Sequence, residues 1–510
     1  MNTFMNGLIN ETNYKRTENG ALAHKSTTSK VYDMFAFGGA YRQRSEEDCI
    51  FLFKQAYDEN PTLAVKCLFY LRDARGGQGE RRFFRVCFNW LCMTHTEHAR
   101  ALAIYCSEYG RWDDMIYSTI KTPVWDETVN VIKEQLKLDI RSKTPSLLAK
   151  WMPSENASSY KTQWVAKELR KSLGATPKEY RKVLSVLRKR INIVERLMSE
   201  NRWDEIEFDK IPSKAGLVYR NAFARRDIIS QKYKAFVKNE KTTVNAGALY
   251  PYEIVRKVTS HIGYRTLNIN EVDRAAINKY WANQKDYLNG QKASLMCVID
   301  TSGSMTWNYN NNNVMPIDVA ISLGLYTAER IGEPFKNHYI SFASRPQLIE
   351  TSGIDFCDKV ARIYRTNLCD STNLTGVFDL LLRTIQRNDV SIEDVPKTLV
   401  IISDMEINNG IAFNHEISTR GFDRYSDGKT KLLTEMEAIR KSWEQATFCP
   451  FPKLVYWNVN ARNNTILDLG ADVSYVSGCS PAIFQQVLTG KTGYDLMLET
   501  LMNERYSVIK

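Results

Sequence analysis

No stretch of about eighteen consecutive apolar residues occurs, so the sequence offers no candidate for a membrane-spanning helix. The opening residues, MNTFMNGLINETNYKRTENG, have neither the basic nor the apolar section of a secretory leader. Cysteine is sparse, ten residues in 510, and no two form a CxxC pair. Reduced thiols and a cytoplasmic location are therefore expected, with no disulfide framework. The six histidines (His24, His95, His98, His261, His338, His415) lie away in sequence from the strand ends described below, and no nucleophile–base pair stands out. CMTHTEH spaces Cys92, His95 and His98 by threes but supplies no fourth zinc ligand, so it reads as a polar helix end. RGGQGER (75–81) lacks the GK[ST] of a phosphate loop and follows a helical pattern. It reads as a C-cap at Gly76-Gly77 and a tight turn, with Arg75, Arg81 and Arg82 free to touch a nucleic-acid backbone. These absences favour a protein that is not an enzyme.

What is present divides the chain. The charged share of 25% and hydrophobic share of 43% are ordinary for a globular protein, and the length calls for two or three domains. The net charge of +11 is uneven: residues 291–510 hold 21 Lys and Arg against 25 Asp and Glu, a balance of −4, which leaves +15 for residues 1–290. That asymmetry points to a polyanion, most often nucleic acid. From about residue 45 to 290, segments such as EEDCIFLFKQAYDEN, PTLAVKCLFYLRDA and ERRFFRVCFNWLC repeat apolar residues at three- and four-residue spacing. Pro61, Gly110, Pro145, Pro153 and Pro212 punctuate them, predicting stacked helical pairs in an α-solenoid. After residue 290, short β-rich runs (SLMCVID, HYISFAS, TLVIISD, KLVYWNV, VSYVS) alternate with helical stretches. That is the βαβ pattern of a doubly wound parallel sheet. The expected division is an N-terminal extension (1–30), a basic helical-repeat domain (31–290) and an α/β domain (291–510).

Two of the β-runs end in acid. Asp300 follows SLMCVI and Asp404 follows TLVIIS, and open α/β sheets bind ligands at the carboxyl ends of their strands. Between them, Ser371, Thr372 and Thr375 precede an amphipathic helix. Two carboxylates with several hydroxyls form a hard oxygen-donor set suited to Mg²⁺ or Ca²⁺. The simpler reading is helix capping. Glu406 reads as the start of the next segment, and the Asn-rich loop 308–313 as a lid over this edge. DTSGS (300–304) resembles the DxSxS signature of von Willebrand factor A domains and their metal-ion-dependent adhesion site. The resemblance implies Asp300, Ser302 and Ser304 as first-loop ligands, Thr372 as the second and Asp404 as the third. Ser371 and Thr375 remain rivals of Thr372. In that family the metal keeps an open position that a partner protein's carboxylate fills.

The densest basic stretch, residues 161–190, carries Lys161, Lys167, Arg170, Lys171, Lys178, Arg181, Lys182, Arg188, Lys189 and Arg190 against only Glu168 and Glu179. Tyr160, Trp164 and Tyr180 interleave, and exposed aromatics stack on unpaired bases. A second patch holds Arg220, Arg225, Arg226, Lys232 and Lys234. The alternative is a helix core face with a solvated back. A helical-repeat region of about 290 residues before an A-like domain resembles the Ro autoantigen family of RNA-binding proteins. More closely similar is a relative of that family found in plants, fungi, bacteria and phages. Its pattern stands in LRDARGGQGERRFFR (71–85), TPKEYRKVLSVLRKR (176–190), KIPSKAGLVYRNAFARRD (210–227), ALYPYEIV (248–255), VYWNVN (455–460) and VSGCSPAIFQQVL (476–488). This implies a HEAT-like array, possible in ring form, that binds single-stranded RNA ends or small structured RNA. A protein adaptor without RNA is the alternative, and a metal-dependent hydrolase the third reading.

Overall fold

The computed structural model describes residues 3–191, 193–263, 266–288, 293–306, 314–342, 344–351, 355–366, 371–408, 422–426, 429–432 and 434–510. The Asn-rich loop 308–313 lies outside them.

Helices fill residues 30–282, each bounded by local chemistry the sequence supplies. Ser45, Asn60, Ser159 and Asn270 cap their helices by accepting a backbone N–H with the side chain, and Pro61 opens the helix Pro61–Arg72. The apolar stripes pack into two cores. One runs without interruption from Ala21 through the helices and the sheet to Ile509. The other is small and gathers Val194, Leu197, Trp203, Phe208, Phe223 and Tyr233 among the helices of residues 194–238.

The array returns on itself. The turn after Pro61–Arg72 is tied back onto its own helix, with Gln78 N–H donating to the Tyr70 carbonyl and Glu80 N–H to that of Leu71. The helix ends at Asp73, so Gly76 and Gly77 are not its C-cap. Gly77 is needed for close approach, since a Cβ there would lie 2.0 Å from the Tyr70 carbonyl oxygen. Gly79 has φ +64. Tyr250, at the start of the helix Pro251–Thr259, donates its hydroxyl to the Gln78 carbonyl at 3.1 Å. An early and a late helix of the array therefore meet at this turn.

The sheet begins at residue 295. Strands β1 (Tyr14–Arg16) and β2 (Leu22–His24) form an N-terminal hairpin. The six-stranded sheet contains β3 (Leu295–Asp300), β4 (His338–Phe342), β5 (Leu348–Glu350) and β6 (Thr398–Ser403). A separate hairpin, β7 (Phe422–Ser426) and β8 (Lys429–Leu432), precedes β9 (Lys453–Asn458) and β10 (Val473–Ser477). The order is β10-β9-β6-β3-β4-β5, parallel except for β5. The central strands are apolar on both faces because helices cover both. Winding runs outward from β3 to β5, then resumes with β6 on the other side of β3. The reversal opens a crevice between the carboxyl ends of β3 and β6.

The two halves interlock. The helix Lys30–Phe37 packs on the edge strand β10, and Pro251–Thr259 packs on Pro316–Arg330. The last residues return to the helical half: Tyr506 donates its hydroxyl to Asp73 at 3.0 Å, Arg505 pairs with Asp73, and Lys66 donates to the Tyr506 carbonyl. His98 bridges the Tyr57 hydroxyl and the Lys510 carbonyl, so the CMTHTEH segment is a docking point for the chain's last turn. Among the described residues no helix is long and apolar enough to cross a membrane.

The Gly79 turn yields a stability prediction. In Gly79→Ala the added Cβ would sit 1.5 Å from the Tyr250 hydroxyl on left-handed backbone, and the strain alone costs about 1–3 kcal/mol. Urea unfolding should show a loss of that size or more. Gly174→Ala, at φ +71 with open space around it, should lose only the backbone part.

Candidate metal centre and nucleic-acid face

The crevice between β3 and β6 receives Asp300 from one strand and Asp404 from just past the other, both without solvent exposure. Asp300 accepts the Ser302 N–H at 2.9 Å on one oxygen and the Ser403 hydroxyl at 2.5 Å on the other. The Ser302 and Ser304 hydroxyls are 3.1 Å apart, and Ser304 also bonds the Asp404 carboxylate. Asp300, Ser302, Ser304 and Asp404 thus form one connected group. Met405, which carries the chain from Asp404 to Glu406, is buried at φ +66, a strained conformation for its residue type. That kink sets two successive carboxylates at the strand end, with Glu406 also buried.

Thr372 stands one step away. Its hydroxyl donates to the Glu406 carbonyl at 3.2 Å and lies 3.1 Å from the Asn408 side-chain oxygen, while Asn19 donates to it at 3.2 Å. Its rival Thr375 is taken by Glu435 on another helix. By these hydrogen bonds Thr372 lies nearer the Asp404–Glu406 segment than Thr375 does.

Several partners of this edge escaped the sequence reading because they come from distant segments. The hairpin β1–β2 lies against it: Thr17 donates to the Ile407 carbonyl at 2.8 Å and Glu18 N–H to the Glu406 carboxylate at 2.7 Å. Gly20 forms a β-bridge with Asn408, and His24 and Ile466 exchange backbone hydrogen bonds. Arg462, from the loop after β9, pairs with Asp404 at 2.9 Å and with Glu18 at 3.0 Å. Glu406 does not merely open the next segment, since it accepts from Glu18, Asn463 and Thr465.

Burial dominates the electrostatics of this edge. Burial, and then the neighbouring Asp404, push the Asp300 carboxyl up to about 7. Burial also raises Asp404 and Glu406, although Arg462 opposes the rise at Asp404. Among the described residues, Arg462 pairs with Glu18 and Asp404, and Lys15, with Arg44 and Lys25 near it, lies close to Glu18 and Glu406. Carboxylates with hydroxyls are the donors Mg²⁺ and Ca²⁺ take. Among the described residues no three His, Cys, Asp or Glu side chains are gathered as a metal-binding group.

The basic helices sort into two kinds of cation. Along Tyr160–Ser172 and Pro177–Ile191, Lys161, Lys167, Lys171, Lys178, Arg181, Lys182 and Lys189 are exposed. Three others are engaged in holding the fold. Arg170 pairs with Glu155 at 2.8 Å, and Arg188 donates to the carbonyls of Ala149 and Met152 and to Ser154. Arg190 donates to the Ile140 carbonyl at 2.7 Å. Of the aromatics, Tyr160 is 82% exposed, Trp164 is half-buried under the Lys121 ammonium, and Tyr180 is 3% exposed with its hydroxyl on the Pro153 carbonyl. Tyr180 belongs to the core and has no face for a base. In the second patch Arg225 and Arg226 are exposed, the latter over the Trp203 ring, while Arg220 is buried against Asp273. Lys214 pairs with Glu253 and lies near Arg256 and Lys257, which also feel Asp318 and Asp273, so this group is balanced by acids.

The raised Asp300 pKa fixes the sign of a pH dependence. An acid whose folded value lies above its ordinary 3.8 makes folding less favourable as pH climbs from about 4 to about 7. In chelator-treated protein, Asp300→Asn should therefore be more stable than wild type at pH 8 and lose that advantage by pH 5. Mg²⁺ at a hundred times its Kd should stabilise wild type by about 2.7 kcal/mol at pH 8, less at pH 5, and Asp300→Ala not at all. Thermal melts at both pH values check this, and overlapping curves with and without Mg²⁺ would remove the metal reading.

Two family models match parts of the chain. Residues 294–506 match the model of a domain of unknown function, DUF7788, and residues 17–104 and 146–305 match that of another, DUF2828. Uncharacterized protein L728 of Acanthamoeba polyphaga mimivirus is 28% identical over 522 residues, covering 94% of this chain and 85% of that protein. The crystal structure of Deinococcus radiodurans RO (RSR) protein aligns over 93% of this chain and 99% of its own, at a TM-score of 0.49 and 13% identity. The chain is thus similar along nearly its whole length to a mimivirus protein, with its α/β half matching DUF7788.

Proposed function

We infer that the chain is a non-enzymatic RNA-binding protein of the Ro-like kind. Its helical half holds RNA through phosphate contacts, and its α/β half holds Mg²⁺ or Ca²⁺ at Asp300, Ser302, Ser304, Thr372 and Asp404. The observation that carries the reading is the row of exposed cations on Pro177–Ile191. Lys178, Arg181, Lys182 and Lys189 line one side of that helix, and both acids of residues 161–190 are engaged elsewhere. Glu179 caps the helix start through Thr176, and Glu168 pairs with Lys171. Cations three and four residues apart on a helix repel one another, and a polyphosphate is the ligand that relieves this. The motif resemblance supports RNA as that polyphosphate. With one exposed aromatic, Tyr160, unpaired bases have a single stacking platform here, so backbone charge outweighs base reading.

At the metal edge, a bound cation would supply a coordination position for a carboxylate from a protein partner. Asp300 and Asp404 would hold the ion, and the serine hydroxyls would complete the donor set. The resemblance to A domains supports this half of the reading, as does the gathering of buried Asp300 and Asp404 with the Ser302 and Ser304 hydroxyls at one strand edge.

The test is a charge reversal that spares the arginines holding the fold. The variant Lys178→Glu, Arg181→Glu, Lys182→Glu, Lys189→Glu should lower affinity for a fluorescent single-stranded RNA at least tenfold. The slope of log K against log salt should flatten by up to about 3, at about 0.7 for each phosphate no longer neutralised. Four reversals on the acidic half should change the slope little. Unchanged affinity and slope in the first variant would abandon RNA for the adaptor reading, in which these helices meet an acidic protein.

A further inference from the structure

Arg462 occupies a position that neither the strand-end pattern nor the DxSxS loop specifies. It lies between acids from opposite ends of the chain, with Nη2 on Asp404 and Nη1 on Glu18. Its backbone is fixed independently: Arg44, from the first helices, donates to the Arg462 carbonyl, and Arg462 N–H donates to Asn460. The guanidinium is therefore the part able to choose between the two acids. A guanidinium presents separate nitrogens in a rigid plane, so it can release one acid while keeping the other. Glu18 is held by more than this pair, since Asn463 donates to its carboxylate at 2.9 Å and its own N–H is on Glu406. Asp404, by contrast, is shared between Arg462, Ser304 and the proposed cation site. A cation at the Asp404 carboxylate competes with Nη2 for its negative charge, and like charges this close in a buried place repel.

We propose that Arg462 couples the cation site to the N-terminal hairpin, bridging Asp404 and Glu18 in the arrangement seen here and yielding Asp404 when a divalent cation binds. The guanidinium then no longer divides its charge between Glu18 and Asp404, and the hairpin residues 17–20 are held by a stronger ion pair. The inference rests on the metal reading above and adds what that reading lacks, a path from the ion to the helical half. The path is short in sequence: β2 ends at His24, and the first array helix starts at Lys30.

The two readings fail differently in one experiment, calorimetric titration of the full chain with MgCl₂. Arg462→Met, which keeps the bulk and removes the charge, should bind Mg²⁺ about tenfold more tightly. Glu18→Gln leaves Arg462 to Asp404 and should bind about three- to tenfold more weakly, an effect that shrinks to less than about twofold in the Arg462→Met background. Arg462→Lys keeps the charge without the two-nitrogen bridge and should also reduce the Glu18→Gln effect. Circular dichroism confirms that each variant is folded. In wild type, Mg²⁺ should slow hydrogen exchange at the Glu18 amide, and in Arg462→Met it should not. An equal loss from Glu18→Gln in both backgrounds would reduce the effect to long-range charge and overturn the coupling. So would unchanged affinity in Arg462→Met. If wild type binds no Mg²⁺, or Asp300→Ala binds it equally well, the metal reading itself fails and the coupling with it.

Discussion

Two carboxylates buried side by side at the ends of neighbouring strands are costly unless something neutralises them, and much of the α/β half is arranged around that cost. Ser302, Ser304 and Ser403 surround Asp300 and Asp404 with donors, and Arg462 contributes one positive charge. Met405 is held in a strained conformation to bring Glu406 to the same edge. Together they fix an edge lined with oxygen atoms, with the strain and desolvation sustained by a shared core of large apolar side chains such as Trp443 and Trp457.

The helical half meets the opposite problem, an excess of positive charge, and part of its answer is to use arginine as mortar. Arg72 and Arg85 converge on the buried Asp114, Arg220 on Asp273 and Arg505 on Asp73. Arg188 and Arg190 tie helix ends by filling carbonyls that helices leave without partners. Lysines dominate what remains exposed on Tyr160–Ser172 and Pro177–Ile191. That division is physical: a guanidinium is weakly hydrated and satisfies several acceptors at once, while an ammonium prefers water or a mobile phosphate.

Sequence periodicity disclosed most of the architecture because the signals were local. The apolar runs before Asp300 and Asp404 marked central parallel strands, and the amphipathic spacing marked the helices. It missed β5, only Leu348–Glu350, because a three-residue edge strand has no period to read. At the strand edge the A-domain resemblance pointed to Asp300, Ser302, Ser304, Thr372 and Asp404; hydrogen bonds connect four of them, and Thr372 stands one step away on the Glu406 carbonyl. Glu406 was visible beside Asp404, but Glu18, Asn19 and Arg462 were out of reach, since only tertiary pairing brings residues 18 to 462 together. Tyr180 failed for another reason. Its place on the basic helix suggested a stacking ring, but its hydroxyl could be satisfied inside, on the Pro153 carbonyl, so burial won.

The N-terminal hairpin also constrains when the molecule can finish folding. His24 pairs with Ile466 and Thr17 with Ile407, so the first strands emerge from the ribosome with their docking surface still unmade. At about 5–20 residues per second, they wait on the order of twenty seconds or longer for that surface to emerge. During that time Ala21 and Ala23, fully buried at the end, stand in solvent with an unpaired two-stranded edge. A chain with this topology closes last at the edge where Asp300, Asp404 and Glu406 lie, and a truncated product that stops before residue 460 would lack the loop that receives the hairpin.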